Sequence, residues 1–171
     1  MEIHDFEKVW LVASLVLIAA FVGTIVYGAV GPGVAMVGDG GTVDATDPTA
    51  SEDFRDPGVY VTDDGEYHVY VVARQFAFEP GSGEPIRVPA GAEVTFHVAS
   101  ADVTHGFQVV GTNVNTMVIP GQVAELAVEF DESGTEYVKC NEYCGAAHHA
   151  MEGKIEVVSE SDVDAEEVRE A

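Results

Sequence analysis

Two thiols, two imidazoles and a thioether fall in the run Cys140-Asn141-Glu142-Tyr143-Cys144-Gly145-Ala146-Ala147-His148-His149-Ala150-Met151. No other stretch restricts the fold as tightly. Soft sulfur beside imidazole at this density is the donor set of a copper site. A further imidazole, His105 in Asp102-Val103-Thr104-His105-Gly106-Phe107, completes the set for two copper ions. A fold that uses these donors must therefore bring the His105 segment against the Cys140–Met151 segment, although the two are far apart along the chain.

The spacing argues for a pair of metals. A mononuclear blue-copper site takes one Cys, two His and a weak axial Met, so the second Cys is one too many. Two thiolates, Cys140 and Cys144, can instead bridge two ions, each with one terminal imidazole from His105 or His148. Met151 offers one ion a weak thioether. Glu142, held between the thiols, can give the other its main-chain carbonyl. Such a site leaves no position open for substrate, which predicts electron transfer and assigns no catalytic residue.

Competing uses of the same residues are weaker. Zinc would accept Cys-x-x-x-Cys-x-x-x-His plus a distant His but leaves Met151 without a role. A disulfide is the default for two cysteines in an exported protein, yet closing so short a loop stabilises little. A membrane-anchored carrier with a single copper would need only one of the thiols. His149 reads as exposed, His68 and His97 as surface or core histidines, and Met117 as a packing residue.

The rest of the chain supplies the frame. Tyr67-His68-Val69-Tyr70-Val71-Val72, Glu93-Val94-Thr95-Phe96-His97-Val98, residues 122–130, Tyr137-Val138-Lys139 and Lys154-Ile155-Glu156-Val157-Val158 read as short strands. Pro80-Gly81, Pro89-Ala90-Gly91, Pro120-Gly121 and Ser133-Gly134 punctuate them as turns. This rhythm predicts an all-β sandwich or Greek-key barrel. Residues 31–65, rich in Gly, Pro, Asp and Thr, read as a flexible linker. Residues 159–171 read as an acidic tail, with a short helical tendency at 165–169. The predicted domain is therefore 66–158.

Ahead of it, Val9 to Val30 is uninterrupted by charge. At 1.5 Å per residue it spans a bilayer core of roughly 30 Å. It is too long for a signal core, and the acidic residues before it are wrong for one. Residues 1–30 are thus read as a retained transmembrane anchor, with Trp10 and Tyr27 near its ends.

The formal charge is −23, from 7 Lys+Arg against 30 Asp+Glu. Such a polyanion argues against a nucleic-acid partner. The charge is spread over the whole chain, as on the solvated acidic surface of a halophile's protein, rather than gathered into a patch for a basic partner. At molar salt, where the Debye length is about 3 Å, it would steer partners only weakly.

Taken together, the Cys140–Met151 run and the upstream His105 segment resemble the dinuclear copper A motif of cytochrome c oxidase subunit II. The resemblance covers residues 67–158 and extends to the single N-terminal helix, which is similar to the ba-type, B-family oxidases of prokaryotes. Gln75-Phe76-Ala77-Phe78, Pro89-Ala90-Gly91-Ala92-Glu93, Gly111-Thr112-Asn113-Val114-Asn115 and Pro120-Gly121-Gln122 are similar to segments of that branch. It implies a cupredoxin-like Greek-key barrel and the metal ligands His105, Cys140, Glu142 (by its carbonyl), Cys144, His148 and Met151. It also implies a role: a dinuclear copper centre takes electrons from a soluble donor, cytochrome c or a small blue-copper protein. These pass to haem in subunit I, where oxygen is reduced with proton translocation. The chain would be the electron-accepting subunit of an oxidoreductase, with no oxygen-reducing centre of its own. Its location would be the plasma membrane, single-pass, with the copper domain on the outer face.

Two departures stand out. The only Trp lies in the apolar helix, so Phe76 and Phe78 either form an apolar docking face for the donor or belong to the barrel core. Glu142 carries a carboxylate where the ba-type branch more often has an amide, and in mitochondrial-type relatives that carboxylate helps hold magnesium at the subunit I interface. The copper domain of a nitrous oxide reductase shares the motif, but such chains carry a large β-propeller ahead of the barrel.

Overall fold

The computed structural model describes residues 4–30, 37–163 and 168–170. The chain divides into two compact units, Met1–Val34 and Ala35–Ala171.

The first unit is a single helix, α1 (Asp5–Val30). Asp5 and Glu7 occupy its first turn, where free N–H groups favour negative charge. Lys8 pairs with Asp5 at 3.0 Å. Beyond this polar end, Trp10, Leu17, Phe21 and Ile25 are all exposed. A helix that is apolar on every side requires an apolar surround, and α1 is long and apolar enough to cross a membrane.

The second unit is built from two sheets. The larger has the order β1 (Val37–Thr42), β9 (Gln122–Glu129), β6 (Glu93–Ser100), β3 (Tyr67–Arg74), β2 (Gly58–Val61) and β12 (Val168–Glu170), with β4 (Ala77–Glu79) also paired to β3. The smaller has the order β5 (Ile86–Pro89), β11 (Glu152–Val158), β10 (Gly134–Lys139), β7 (His105–Val109) and β8 (Asn115–Val118). Pairing is antiparallel except for β3 with β6, β5 with β11 and β2 with β12. These crossovers between non-consecutive strands give the Greek-key sandwich that the strand rhythm predicts.

Period-two alternation sets the core. Val69, Val71, Val94, Phe96, Val98, Leu126 and Val128 point inward from the larger sheet. They meet Ile86, Val88, Phe107, Val109, Val138, Ile155 and Val157 of the smaller one. Phe96 lies against both Phe107 and Phe130.

The segment read as a flexible linker is, from residue 37 onward, part of this unit. β1 extends the sheet along β9, and β2 pairs with β3. Between them, Phe54 is 3 % exposed and packs with Val72, Ala99, Ala101 and Val123 in a second apolar cluster on the outer face of the larger sheet. Its ring meets Tyr70 edge-on at 5.3 Å. Asp44 shapes the covering loop by accepting hydrogen bonds from the Thr46 N–H and hydroxyl and the Asp47 N–H. Those bonds hold the Asp44 carboxyl below its ordinary range. Residues 31–36 of the expected linker lie outside the described residues. The acidic tail is likewise partly structured: Val168–Glu170 pairs with β2, while 164–167 of the expected helical stretch lie outside the described residues.

Candidate metal centre

The strand registers bring the two donor segments together. β10 and β11 form a hairpin closed by the Lys139–Glu152 pair, so residues 140–151 make the connecting loop. β7 runs antiparallel beside β10, with Gln108 opposite Lys139. Carrying that register forward sets Phe107, Gly106 and His105 alongside Cys140, Asn141 and Glu142 in turn. The approach is close enough to demand glycine: a Cβ on Gly106 would lie 1.8 Å from Asn141 Oδ1 and 2.9 Å from its backbone nitrogen.

Backbone bonds hold the loop. The Cys140 N–H donates to the Met151 carbonyl at 3.2 Å. A single 3-10 turn over His148–Ala150 brings the chain back to Met151. Gly145 adopts φ +135°, and a Cβ there would meet Phe76 at 3.0 Å. The neighbouring Gln75 side-chain amide donates to the Cys144 carbonyl. The Gln75–Phe76 turn therefore braces the loop from outside.

Inside the loop the donors converge. The two sulfurs are 3.8 Å apart, both thiols free and buried. His105 Nδ1 lies 3.8 Å from Cys140 Sγ, and the Glu142 carbonyl oxygen 3.1 Å from the same sulfur. His148 Nδ1 and Met151 Sδ each lie 3.7 Å from Cys144 Sγ. His105, Cys140 and Cys144 form a compact potential metal cluster, all three buried. Two donors bound to one ion at about 2.0–2.3 Å stand about 3.5–3.8 Å apart when the angle is near tetrahedral. The four spacings among the sulfurs and imidazoles of Cys140, Cys144, His105, His148 and Met151 have that value, so these residues fit a metal with the geometry they already have. The chemistry fits too. Burial, then the hydrogen bond and charge of Cys140, push the Cys144 thiol up to about 11, so a metal must replace its proton.

One functional residue escaped the sequence reading. Asp102 Oδ1 is 2.7 Å from His105 Nε2 and accepts a hydrogen bond from its N–H. That fixes the tautomer and leaves Nδ1 bare toward Cys140. Burial raises the Asp102 pKa, but hydrogen bonds from His105, Gln75 and Val103 outweigh it and hold the group ionised, below its ordinary range. The signal was available as an acidic residue three positions before a ligand histidine.

Other expectations need correction. Phe78 is 2 % exposed and meets Phe107 edge-on at 5.6 Å, so it belongs to the core and offers no docking face. Phe76 is half-buried beside Gly145. Met117 is 54 % exposed and does not pack in the core. His149 is exposed, as expected. Tyr143, which the sequence did not single out, is 77 % exposed, with its ring 5.9 Å from that of His148.

A Greek-key sandwich carrying sulfur and imidazole donors on the loops at one end defines a cupredoxin-type copper domain. Residues 73–158 match the family model described as cytochrome C oxidase subunit II, periplasmic domain. A cytochrome c oxidase subunit 2 of Thermus thermophilus is 39 % identical over 157 residues, covering 89 % of this chain and 91 % of that relative. A second protein of that description, also from Thermus thermophilus, is 41 % identical over 122 residues, 68 % of this chain and 88 % of the relative. A chain in a cryo-EM structure of a heme-copper terminal oxidase dimer is 35 % identical with a TM-score of 0.65, covering 90 % of this chain and all of that one. The periplasmic domain of subunit II of cytochrome oxidase (CoxB) from Bradyrhizobium japonicum shares the fold, at 22 % identity and TM-score 0.52 over 62 % of this chain and 89 % of that one. The chain belongs to the cytochrome c oxidase subunit II family. With α1, it is a membrane-anchored component of an oxidoreductase complex, and its relatives agree with the ba-type branch.

Proposed function

We propose that this chain is the electron-accepting subunit of a terminal haem-copper oxidase and holds a dinuclear copper A centre. One observation carries the reading: four further donors, His105, the Glu142 carbonyl, His148 and Met151, close on a thiol pair that is itself 3.8 Å apart, more than a single ion would take. When bound, a thiolate-bridged copper pair supplies a one-electron carrier with the unpaired electron shared between two ions. The protein's part is to hold six donors in place from two tied segments, so that little rearrangement accompanies a change of charge. Asp102 keeps His105 in one tautomer, and Gly106 lets β7 approach the sulfur loop.

Electrons arrive from a soluble donor, cytochrome c or a small blue-copper protein, and leave for haem in subunit I, where oxygen reduction is coupled to proton translocation. The copper domain faces the outer side of the plasma membrane. With Phe78 in the core, the docking face is better supported at the exposed surface around Tyr143 and His148, with Phe76 at its margin. The carboxylate of Glu142, exposed while its carbonyl faces the sulfurs, is a hard ligand suited to magnesium at the subunit I interface.

The test uses the oxidase complex purified with Cys144→Ala in this chain. Oxidation of the reduced donor should fall at least a hundredfold, with the haem content of subunit I unchanged. Undiminished donor oxidation would overturn the reading.

A further inference from the structure

The two thiols of the sulfur loop are held unequally. Cys140 follows β10 directly, and the sheet secures it: its N–H donates to the Met151 carbonyl at 3.2 Å, and the Gly106 N–H of β7 donates to its sulfur at 3.5 Å. Cys144 lies beyond the Lys139–Glu152 pair, the last rung of the hairpin. The backbone bonds that follow it, from the His148 N–H to the Gly145 carbonyl and from the Met151 N–H to the His148 carbonyl, stay within the loop. Among the described residues, the one side chain from outside that hydrogen-bonds to the stretch from Tyr143 to Met151 is Gln75, whose amide donates to the Cys144 carbonyl.

Gln75 belongs to neither ligand segment. β3 and β4 pair through Arg74 and Ala77, which leaves Gln75 and Phe76 as the turn between them. β3 runs parallel beside β6 as far as Ala73 and Ser100, so this turn is set against the chain that leaves β6 toward His105. There the Gln75 N–H donates to Asp102 Oδ2 at 2.7 Å, while Asp102 Oδ1 accepts from His105 Nε2 at 2.7 Å and from the Val103 N–H at 2.6 Å. Gln75 therefore bonds on one side to the carboxylate that orients His105 and on the other to the peptide that carries Cys144. The fit is tight on the loop side, where a Cβ on Gly145 would lie 2.8 Å from Gln75 Nε2.

We infer that Gln75 is a positioning residue of the metal centre, fastening His105 and the Cys144 side of the sulfur loop to one another. The inference rests on the dinuclear copper reading and adds to it the residue that keeps the two ligand segments in register. The residue type matters because the Cys144 carbonyl needs a donor at the reach of a glutamine. Methionine has similar length and no donor. Glutamate has the same shape but, ionised, sets an acceptor against the carbonyl oxygen with no proton between them. Either replacement keeps the main-chain N–H that meets Asp102, so only the tie to Cys144 is cut. Gln75 is exposed, so neither replacement opens a cavity in the core.

The test uses the copper-loaded full chain in detergent, read by chelator competition, by the hyperfine pattern in electron paramagnetic resonance and by the reduction potential. Gln75→Met should weaken copper binding about tenfold, the scale set by partners behind metal ligands, and Gln75→Glu should weaken it further. Both should change the hyperfine pattern and the potential, which a role in surface packing alone would leave in place. A second comparison isolates the tie. In an Asp102→Ala background the tie has lost its far anchor, so adding Gln75→Met should cost much less affinity than it does in wild type, whereas independent sites would give losses that multiply. A wild type without a two-copper centre would remove the reading beneath this role. With that centre present in wild type, a Gln75→Met protein that matches it in all three readouts, or losses that multiply in the double variant, would overturn the role of Gln75 alone.

Discussion

The domain has two well-buried regions built on opposite terms. At the Cys140–Met151 end, burial encloses thiols and imidazoles, groups whose arrangement makes sense only around a metal. On the outer face of the larger sheet, Phe54, Val72, Ala99, Ala101 and Val123 enclose only hydrocarbon. The first region is conditional: its contribution to stability follows ligand binding by mass action. The second is intrinsic and needs only water to be excluded. A single barrel thus carries one end whose stability depends on metal and one apolar cluster whose stability does not.

The sharpest way to break this contrast is to remove a bridging sulfur. Cys140→Ala or Cys144→Ala should abolish the shared-electron state, and the loaded and metal-free proteins should then melt together. A copper-dependent rise in Tm surviving in either variant would contradict the conditional character of this end. Phe54→Ala tests the other region. Truncating a buried Phe costs about 3–5 kcal/mol, and the loss should appear equally in chelator-treated and copper-loaded protein in denaturant titrations. A loss seen only in one form would mean that the two regions are coupled.

Smaller changes sharpen the comparison. Asp102→Asn should weaken metal binding about 10–100-fold by releasing the His105 tautomer, as read by competition with a chelator. The outer face should carry its own pH response through His97, whose folded pKa lies at about 4 against an ordinary 6.5. Between these values the unfolded chain binds more protons. Stability is therefore full above about pH 6.5 and falls toward pH 4, by at most about 1.4 kcal/mol per pH unit. His97→Gln should flatten that slope in urea melts taken across the range. Met151→Leu should have the smallest effect: a shifted reduction potential with copper retained, checked by metal analysis and voltammetry. Loss of all copper would mean that the thioether is a principal ligand.

The same two regions explain what could be read from the chain. The ligand loop was legible because its residues are chemically rare and locally spaced, and the loop hairpin β10–β11 keeps sequence neighbours close in space. His105 was legible because its residue type was the missing member of a set. Asp102 was not, since aspartates are abundant here and only the fold shows which one meets an imidazole nitrogen. β3, β6, β9, β10 and β11 follow apolar runs and were expected. β1 and β2 were not, because Val37–Thr42 is mostly glycine and polar, and β1 owes its place to an available edge of β9. Phe54 is a lone aromatic in a polar loop, with no periodicity to mark it. Phe78 was ambiguous for the converse reason: Phe76 and Phe78 share a spacing of two, yet only Phe78 lies in β4 and points into the sandwich.

The account rests on two copper ions held by one pair of thiolates, and electron paramagnetic resonance with metal analysis on the copper-loaded full chain tests it most directly. The prediction is two copper ions per chain and a hyperfine pattern from one unpaired electron spread over both nuclei. One copper per chain with the electron on a single nucleus, or zinc in place of copper, would contradict it.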